Sequence, residues 1–508
     1  MEFDDLIIGA GTAGAVIAAR LSEDPARRVL LLEAGPDYPP DQPLPPELRF
    51  RAASDTGILH DWGYAARATA ASTRAVPYPQ GKVTGGSSAI NSFAATRGLP
   101  ADYDEWAAVG NDVWSWEQVL PFFRRLETDQ DFADAFHGRE GPLPIQRWKV
   151  AEFIPLQRAL YDACRDLGFP ETADHNDPTA SGVGPWPLNQ HDGDRVSVAT
   201  AYLDPARSRQ NLTIRSESLV RRVLFEAGRA VGVEVDGVAE PVYARRVIVS
   251  AGAVNSPALL LRSGVGPPAE LAALGIEPRF ALPGVGRGLA DHPFAWAPLV
   301  PKDGVEPPLP RNQVCLRYTA PGSRYCNDLQ IFLRAPLDIS GTPSMVQLVG
   351  APVIFSLGAG LLKPLSRGQV TLASADPIAP PRIELNLADE PEDRRRLAEG
   401  MRLCWQLGHS SRLAPFVERV AVLDQSTIDD DEALTRYVES TLISFRHPVG
   451  TARMGRADDP AAVVDQYGRV HGVDGLLVAD ASIMPTIPSS GTALTCVMIG
   501  ERIADFLR

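Results

Sequence analysis

The sequence predicts a mixed α/β and α+β chain. One domain stands on a parallel sheet that carries a β-meander, and a second, discontinuous domain stands on an antiparallel sheet with helices. Three observations predict it. A short apolar run, a glycine turn and an apolar helix open the chain. A group of β-rich runs with one tight turn occupies 211–250. The segments 145–195 and 300–450 are richer in proline and aromatic residues, with strand-like alternation.

Taken in order, Leu6-Ile7-Ile8 reads as a buried strand, Gly9-Ala10-Gly11-Thr12-Ala13-Gly14 as a turn, and Ala15 to Leu21 as a helix. A second apolar run, Val29 to Leu32, ends at Glu33, 19 residues beyond Gly14. That spacing completes the first βαβ unit of a Rossmann-like, dinucleotide-binding fold. Gly9 permits the tight turn, Gly11 lets the main chain approach a pyrophosphate, and Gly14 lets helix and strand pack closely. The free N–H groups of Thr12, Ala13 and their neighbours face the anion, and Glu33 accepts from a ribose hydroxyl.

The Pro39 to Pro46 stretch breaks regular structure, and 100–127 alternates aromatic and acidic residues at helical spacing, which predicts packed helices. Leu212 to Ile214, Leu219 to Phe225, Val231 to Val235 and Val242 to Ser250 predict the meander, with its turn at Ala227-Gly228-Arg229. Val247 to Gly252 and Leu476 to Asp480 predict strands that return to the first sheet. Residues 386–412 predict an amphipathic helix with Leu397, Met401, Leu403, Cys404 and Leu407 on its apolar side. Met345 to Ser356 reads as core rather than pocket. The expected boundaries are 1–144, 196–299 and 456–508 for the nucleotide domain, and 145–195 with 300–455 for the substrate domain.

Composition narrows the partners. Across 508 residues, 49 basic side chains against 63 acidic ones leave a net charge of −14, without the basic face that nucleic acid or an anionic membrane surface requires. Small soluble ligands are the expectation. The five cysteines form no C-x-x-C pair and cannot all pair as disulfides, which fits a reducing compartment and offers no cysteine metal site. No basic leader and no run of 18 apolar residues is seen, so a cytoplasmic protein with no membrane span and no bound metal is expected.

A second glycine loop, Gly81-Lys82-Val83-Thr84-Gly85-Gly86-Ser87-Ser88-Ala89-Ile90-Asn91, offers backbone donors and small side chains for a flat ring or a phosphate oxygen. It is not a Walker A loop, because Lys82 precedes the glycine pair. Among eight histidines, His447 stands in the proline- and glycine-punctuated His447-Pro448-Val449-Gly450.

With Glu33-Ala34-Gly35, Asp61-Trp62-Gly63-Tyr64, Asp102-Tyr103-Asp104-Glu105-Trp106, Gly252 to Gly266, His447 to Gly455 and Asp480 to Pro485, these motifs run in order through nearly the whole chain. The set resembles the glucose-methanol-choline family of FAD-dependent oxidoreductases. The resemblance implies oxidation of a small-molecule alcohol to the carbonyl, with hydride passed to the flavin N5 and the flavin reoxidised by O2 or another acceptor. It implies cofactor contacts at Gly9, Gly11, Thr12, Ala13, Gly14, Glu33 and Ala34; at Trp62, Lys82, Val83, Gly85, Gly86, Ser87, Asn91, Ser92 and Ala94; and at Val220, Ala251, Gly252, Asp480, Ala481, Gly491 and Thr492.

It also implies that His447 is the general base. An alcohol donates hydride well only as its proton leaves, and imidazole is neutral near pH 7. His292 and His471 match positions of FAD-domain packing. Two departures from the family pattern matter. The second catalytic His or Asn, 44 residues after the first, is here Gly491, so Ser490, Thr492 or a water is left to supply a hydroxyl, unless both side chains merely build the turn. Ile90 occupies the position where some members attach FAD through histidine, so the cofactor is expected to be non-covalent. Arg446, where many relatives have an aromatic residue, suits a carboxylate-bearing substrate or is simply solvated. A lyase on the same flavin fold, of the hydroxynitrile-lyase kind, and a flavin-binding protein without turnover are the alternatives.

Overall fold

The computed structural model describes residues 3–49, 59–72, 75–305 and 312–508. Phe3–Ile8 pairs in parallel with Val29–Leu32 on one side and with Val242–Val249 on the other. Leu212–Arg215 continues the sheet beyond Val29–Leu32, and Leu476–Val478 continues it beyond Val242–Val249, again in parallel. Leu6, Ile7, Leu30, Leu31, Val247 and Ile248 are fully buried, because helices cover the sheet and leave no strand face to water. That is why these runs are continuously apolar rather than alternating.

Val220–Glu226, Arg229–Val235 and the first half of Val242–Val249 form the antiparallel meander. Its turn holds Ala227 and Gly228 at φ of 47° and 83°. Leu212–Arg215, grouped with the meander on sequence, belongs to the parallel sheet instead. A four-residue apolar run carries no mark of its partner's direction. Helix Gly14–Leu21 packs on helix Ala493–Phe506, joining the two ends of the chain.

The second large sheet is antiparallel, in the order Val417–Val420, Pro293–Pro301, Val353–Leu361, Leu329–Asp338, Val314–Tyr318, Gly182–Pro185, with Ile443–Ser444 paired to the start of Pro293–Pro301. Strand residues alternate in direction, and the two faces differ accordingly. Ala295, Leu299, Ile331, Leu357 and Ala359 lie under helices Pro155–Asp166 and Pro391–Gly408, whereas Phe294, Phe332 and Cys315 form a separate aromatic cluster with Phe93 and Trp186. Pro293–Pro301, at the end of the 196–299 segment expected in the nucleotide domain, is a strand of this sheet. A smaller sheet also joins distant pieces, pairing Ala65–Arg67 with Ala75–Pro77 on one side and with Arg382–Glu384 on the other.

The helices expected at 100–127 form as Pro100–Ala108 and Trp116–Leu126, and Trp106, Trp114 and Phe123 among them are fully buried. The amphipathic helix forms over Pro391–Gly408 with its expected apolar side buried. Val349, Ile354 and Phe355 of the 345–356 stretch are core. Among the described residues no helix is long and apolar enough to cross a membrane.

Candidate active site

Parallel strands deliver their carboxyl ends to one edge of a sheet, and that edge is where a ligand crevice opens. Here the residues after the five parallel strands are Gly9, Glu33, Ser216, Ser250 and Ala479, and a cavity of about 330 Å³ runs along Gly9, Glu33, Ser218, Ser250 and Asp480. Gly11, Thr12 and Ala13 line it at the N-terminus of helix Gly14–Leu21, the end of a helix that favours anions.

The glycines are there for space. A Cβ on Gly9, at φ +98°, would stand 2.5 Å from the Ser250 carbonyl oxygen, and one on Gly86 would stand 2.7 Å from the Gly11 Cα. The second contact presses the two glycine loops together, and the Gly85 N–H, which donates to the Ala10 carbonyl at 2.8 Å, locks them. Glu33, 5% exposed, accepts from the Ala10 N–H at 2.9 Å and the Gly35 N–H at 2.8 Å. Burial pushes its carboxyl up to about 7 against the pull of those N–H groups. Asp480 accepts from the Gly252 N–H and Ser482 N–H, both at 2.8 Å, and burial raises it likewise. A crevice with helix-end donors at its centre and a buried carboxylate at one end fits a dinucleotide.

A second cavity, of about 240 Å³, adjoins the first, and the two share Asn91, Arg446, His447 and Gly491. Its wall is the aromatic face of the antiparallel sheet. Phe294, Phe332 and Phe445 lie with ring centroids 4.9–5.7 Å apart, and Phe445 lies 5.7 Å from the His447 ring. Gly358 and Gly360 make room for them, since a Cβ on either would collide with the Phe294 or Phe445 ring. Polar groups stand among these rings. Asn312 carries a buried Oδ1 with no hydrogen-bond partner, and Gln330 and Arg334 share the wall. Arg195 donates to the carbonyls of Leu48 at 2.9 Å and Asn91 at 2.6 Å, and burial lowers it to about 10.

The junction is built on Asp291, which is 3% exposed. Its Oδ1 accepts the His447 main-chain N–H at 2.9 Å, and its Oδ2 accepts the hydroxyls of Tyr78 and Ser444, each at 2.5 Å. Pairing of Ala290 with Val449 and donation from the Phe445 N–H to the His292 carbonyl at 3.0 Å hold the loop against this segment. The His447 Nδ1 lies 3.0 Å from the His292 Nδ1, and a Cβ on Gly491 would lie 3.9 Å from the His447 Nε2. Burial, aided by the Arg446 charge, lowers the His447 imidazole to about 4. The ring is therefore neutral across the physiological range, with its Cε1–Nε2 edge beside a residue that has no side chain.

Most of the residues named from sequence meet here. Gly9, Gly11, Thr12, Ala13, Glu33, Ala34, Trp62, Gly86, Ser87, Asn91, Ser92, Ala94, Val220, Ala251, Gly252, Asp480, Ala481, Gly491 and Thr492 line the first cavity. Gly14 does not; it packs against the Gly9 carbonyl and Ser250. Lys82, Val83 and Gly85 also stand behind the wall: the Lys82 ammonium lies over the Trp62 ring at 5.0 Å, and Val83 is core. Ser490 is off both walls, its hydroxyl turned onto the Gly491 carbonyl at 3.1 Å, and Thr492 meets the first cavity alone. Arg446 is exposed at φ +67° and borders both cavities. Ile90 faces the second cavity.

His292 was expected to be a packing residue. It is buried, as a packing residue would be, but it packs on the candidate base. One signal pointed to it, because Asp291-His292-Pro293 repeats the His-Pro punctuation of His447-Pro448. Asp291, Tyr78, Asn312, Gln330 and the phenylalanine wall carry no such local mark. A cluster elsewhere, Glu127, Asp129 and His137, has metal-like spacing, but Arg97 pairs with Glu127 and Arg147 with Asp129, so cations already fill it.

Two family models, each described as GMC oxidoreductase, match residues 3–294 and 364–500. The 5-(hydroxymethyl)furfural oxidase of Methylovorus sp. (strain MP688) is 39% identical, over 99% of this chain and 98% of its own length. The mitochondrial choline dehydrogenase of Mus musculus is 34% identical, over 100% of this chain and 89% of its own. The crystal structure of pyridoxine 4-oxidase from Mesorbium loti superposes with a TM-score of 0.90 at 33% identity, covering 99% of each chain.

Proposed function

The chain belongs to the GMC oxidoreductase family, an FAD-binding oxidoreductase acting on alcohol-type donors, and from that premise we propose that His447 is the general base for oxidation of a small alcohol to its carbonyl. The observation that carries this reading is the position of one neutral imidazole on the wall shared by the two cavities. The crevice holds FAD without a covalent bond, with Glu33 toward the adenosine ribose and the 9–14 turn toward the pyrophosphate. Bound FAD supplies the two-electron acceptor, which O2 or another oxidant then regenerates. The remaining work falls to side chains. His447 takes the hydroxyl proton as the carbinol C–H bond breaks, so that the loss of proton and hydride converts CH–OH to C=O. Asp291 fixes the main chain of that loop, and the phenylalanine wall excludes water and orients the donor.

Residues 1–144, 196–292 and 456–508 form the cofactor half in this reading, and the intervening segments form the substrate half. Mixing the purified flavoprotein anaerobically with primary, secondary, aromatic and sugar alcohols tests the assignment. Bleaching of the oxidised flavin band with at least one donor is the expected result; an unbleached flavin with every alcohol overturns the reading and favours a lyase or a non-catalytic protein.

A further inference from the structure

A general base needs a bare nitrogen facing its substrate, and a neutral imidazole carries its single N–H on either nitrogen unless a partner decides. We propose that His292 is that partner: the Pro488 carbonyl keeps the proton of His292 on Nε2, His292 Nδ1 accepts from His447 Nδ1–H, and His447 Nε2 is left bare at the junction of the two cavities. The inference rests on the reading of His447 as base and deepens it, by assigning a positioning residue on the side away from Gly491.

The chain of reasoning uses only donor and acceptor rules. A carbonyl oxygen accepts and never donates, and the His292 Nε2 lies 3.1 Å from the Pro488 oxygen, so that nitrogen carries a hydrogen. A second proton on His292 is disfavoured. The ring has no solvent exposure, and among the described residues the groups acting on it are the carbonyls of Pro488 and Leu362, the His447 ring and the Lys363 ammonium, whose charge opposes a second proton. Its Nδ1 therefore holds a lone pair. At 3.0 Å from that lone pair stands the His447 Nδ1. Two bare nitrogens at this distance repel, and two N–H groups collide, so His447 must supply the hydrogen.

The surroundings of His447 agree. The charge beside its ring is the Arg446 guanidinium, and the nearest carboxylate, Asp291, is committed to its main-chain N–H rather than to the imidazole. Among the described residues no hydrogen-bond acceptor holds a proton on Nε2. The two rings stand at 88° with centroids 5.2 Å apart, so each presents an edge to the other. When Nε2 receives the alcohol proton, the new positive charge lies one hydrogen bond from His292 and two from the Pro488 carbonyl dipole. That arrangement gives the base an orienting partner where the family pattern at position 491 has been lost.

The nitrogen assignment is read directly from 15N spectra of the histidine-labelled holoenzyme near neutral pH, with resonances identified from His447→Gln and His292→Asn. The expected result is a protonated Nδ1 with an unprotonated Nε2 on His447, and the reverse on His292. A His447 protonated on Nε2 overturns the proposal whatever the enzyme's activity. Flavin reduction gives a second, independent arm. Asn at 292 still offers an acceptor oxygen and retains the parent rate within a few-fold. His292→Leu offers none, and it slows reduction by about 10- to 100-fold, part of the ~10²–10⁴ that general-base help supplies, at unchanged flavin content and alcohol affinity. A leucine variant as fast as the parent overturns the relay. Should the parent resist reduction by every alcohol, the reading of His447 as base fails, while the spectrum still decides the proton positions.

Discussion

Glycine, alanine and serine are prominent along the dinucleotide crevice, where the main chain is open to a ligand, whereas large side chains line the aromatic cavity beside it. The crevice is made of strand ends and two glycine loops, Gly9 to Gly14 and Gly81 to Asn91, whose residues are neighbours in sequence. The cavity is made of Trp186, Phe294, Asn312, Gln330, Phe332 and Phe445, drawn from five different strands or connections. A ligand common to many proteins can be held by a reusable main-chain turn, whereas a ligand particular to one is held by whatever a sheet face presents. The comparison is sharpest at His447, which belongs to both.

The largest effect is expected there. His447→Ala removes the proton acceptor but leaves the Gly9 to Gly14 turn and Glu33 in place, so flavin content stays at the parent level while the rate of flavin reduction by alcohol falls by about 10²–10⁴-fold, some 3–5 kcal/mol. Stopped-flow reduction under anaerobic conditions measures it. A variant reduced as fast as the parent removes the base from the mechanism and leaves His447 a wall residue like Phe445.

Gly9→Ala tests the other region. At φ +98° an alanine is strained, and its Cβ would stand 2.5 Å from the Ser250 carbonyl oxygen, a main-chain atom that cannot swing aside. Strain of about 1–3 kcal/mol at the turn, spent in displacing the pyrophosphate donors, weakens FAD binding by up to ~100-fold. Titration of apoprotein with FAD reads the loss. Alcohol-dependent reduction of the flavin that remains bound should be near normal, because the cavity is unaltered.

The two regions should also answer pH differently. Burial raises the Glu33 carboxyl to about 7 in the free protein, and the ribose hydroxyls need the ionised form as acceptor. As pH falls below 7 the carboxyl must first lose its proton, so FAD affinity of the apoprotein drops by about tenfold per pH unit. His447 is shifted the opposite way. Its neutral form is the active one and its folded value is about 4, so reduction of the preloaded flavin holds level from pH 8 through 5 and declines only toward pH 4. Coincident midpoints for binding and reduction would show that a single group governs both.

These contrasts explain what the sequence disclosed. The βαβ unit was legible because its glycines answer a local need: a Cβ at Gly14 would collide with the Gly9 carbonyl oxygen, five residues before it in the same contiguous turn. The place of His447 was legible through its His-Pro-Val-Gly loop. The phenylalanine wall was not, because Phe294, Phe332 and Phe445 become neighbours only through strand register, and the Gly358-Ala359-Gly360 stretch that accommodates two of them resembles any small-residue strand. The contact of His292 with His447 was not legible for a related reason. A buried histidine in a strand-leading loop reads as packing, and its partner lies 155 positions away. Leu212–Arg215 went to the wrong group because proximity in sequence to the meander outweighed a pairing with Val29–Leu32 that no local pattern records.

The smallest effect is expected where the sequence departs most visibly from the family pattern. Gly491 is outside the left-handed region, and a Cβ there would make ordinary contact with His447, 3.8 Å from Cε1 and 3.9 Å from Nε2. Alanine therefore fits, and by restricting the unfolded chain it stabilises the protein by about 0.4–1 kcal/mol. Reduction by alcohol should change by less than about 3-fold, since one methyl group contributes little to positioning when the base is oriented from its other side. A thermal melt and a reduction rate on Gly491→Ala decide the matter together. A raised midpoint with parent-like reduction places the orienting function at His292, whereas a raised midpoint with reduction slowed tenfold or more means that the open space at 491 is itself occupied by the reacting alcohol, and that the junction, not the aromatic wall, sets the limit on donor size.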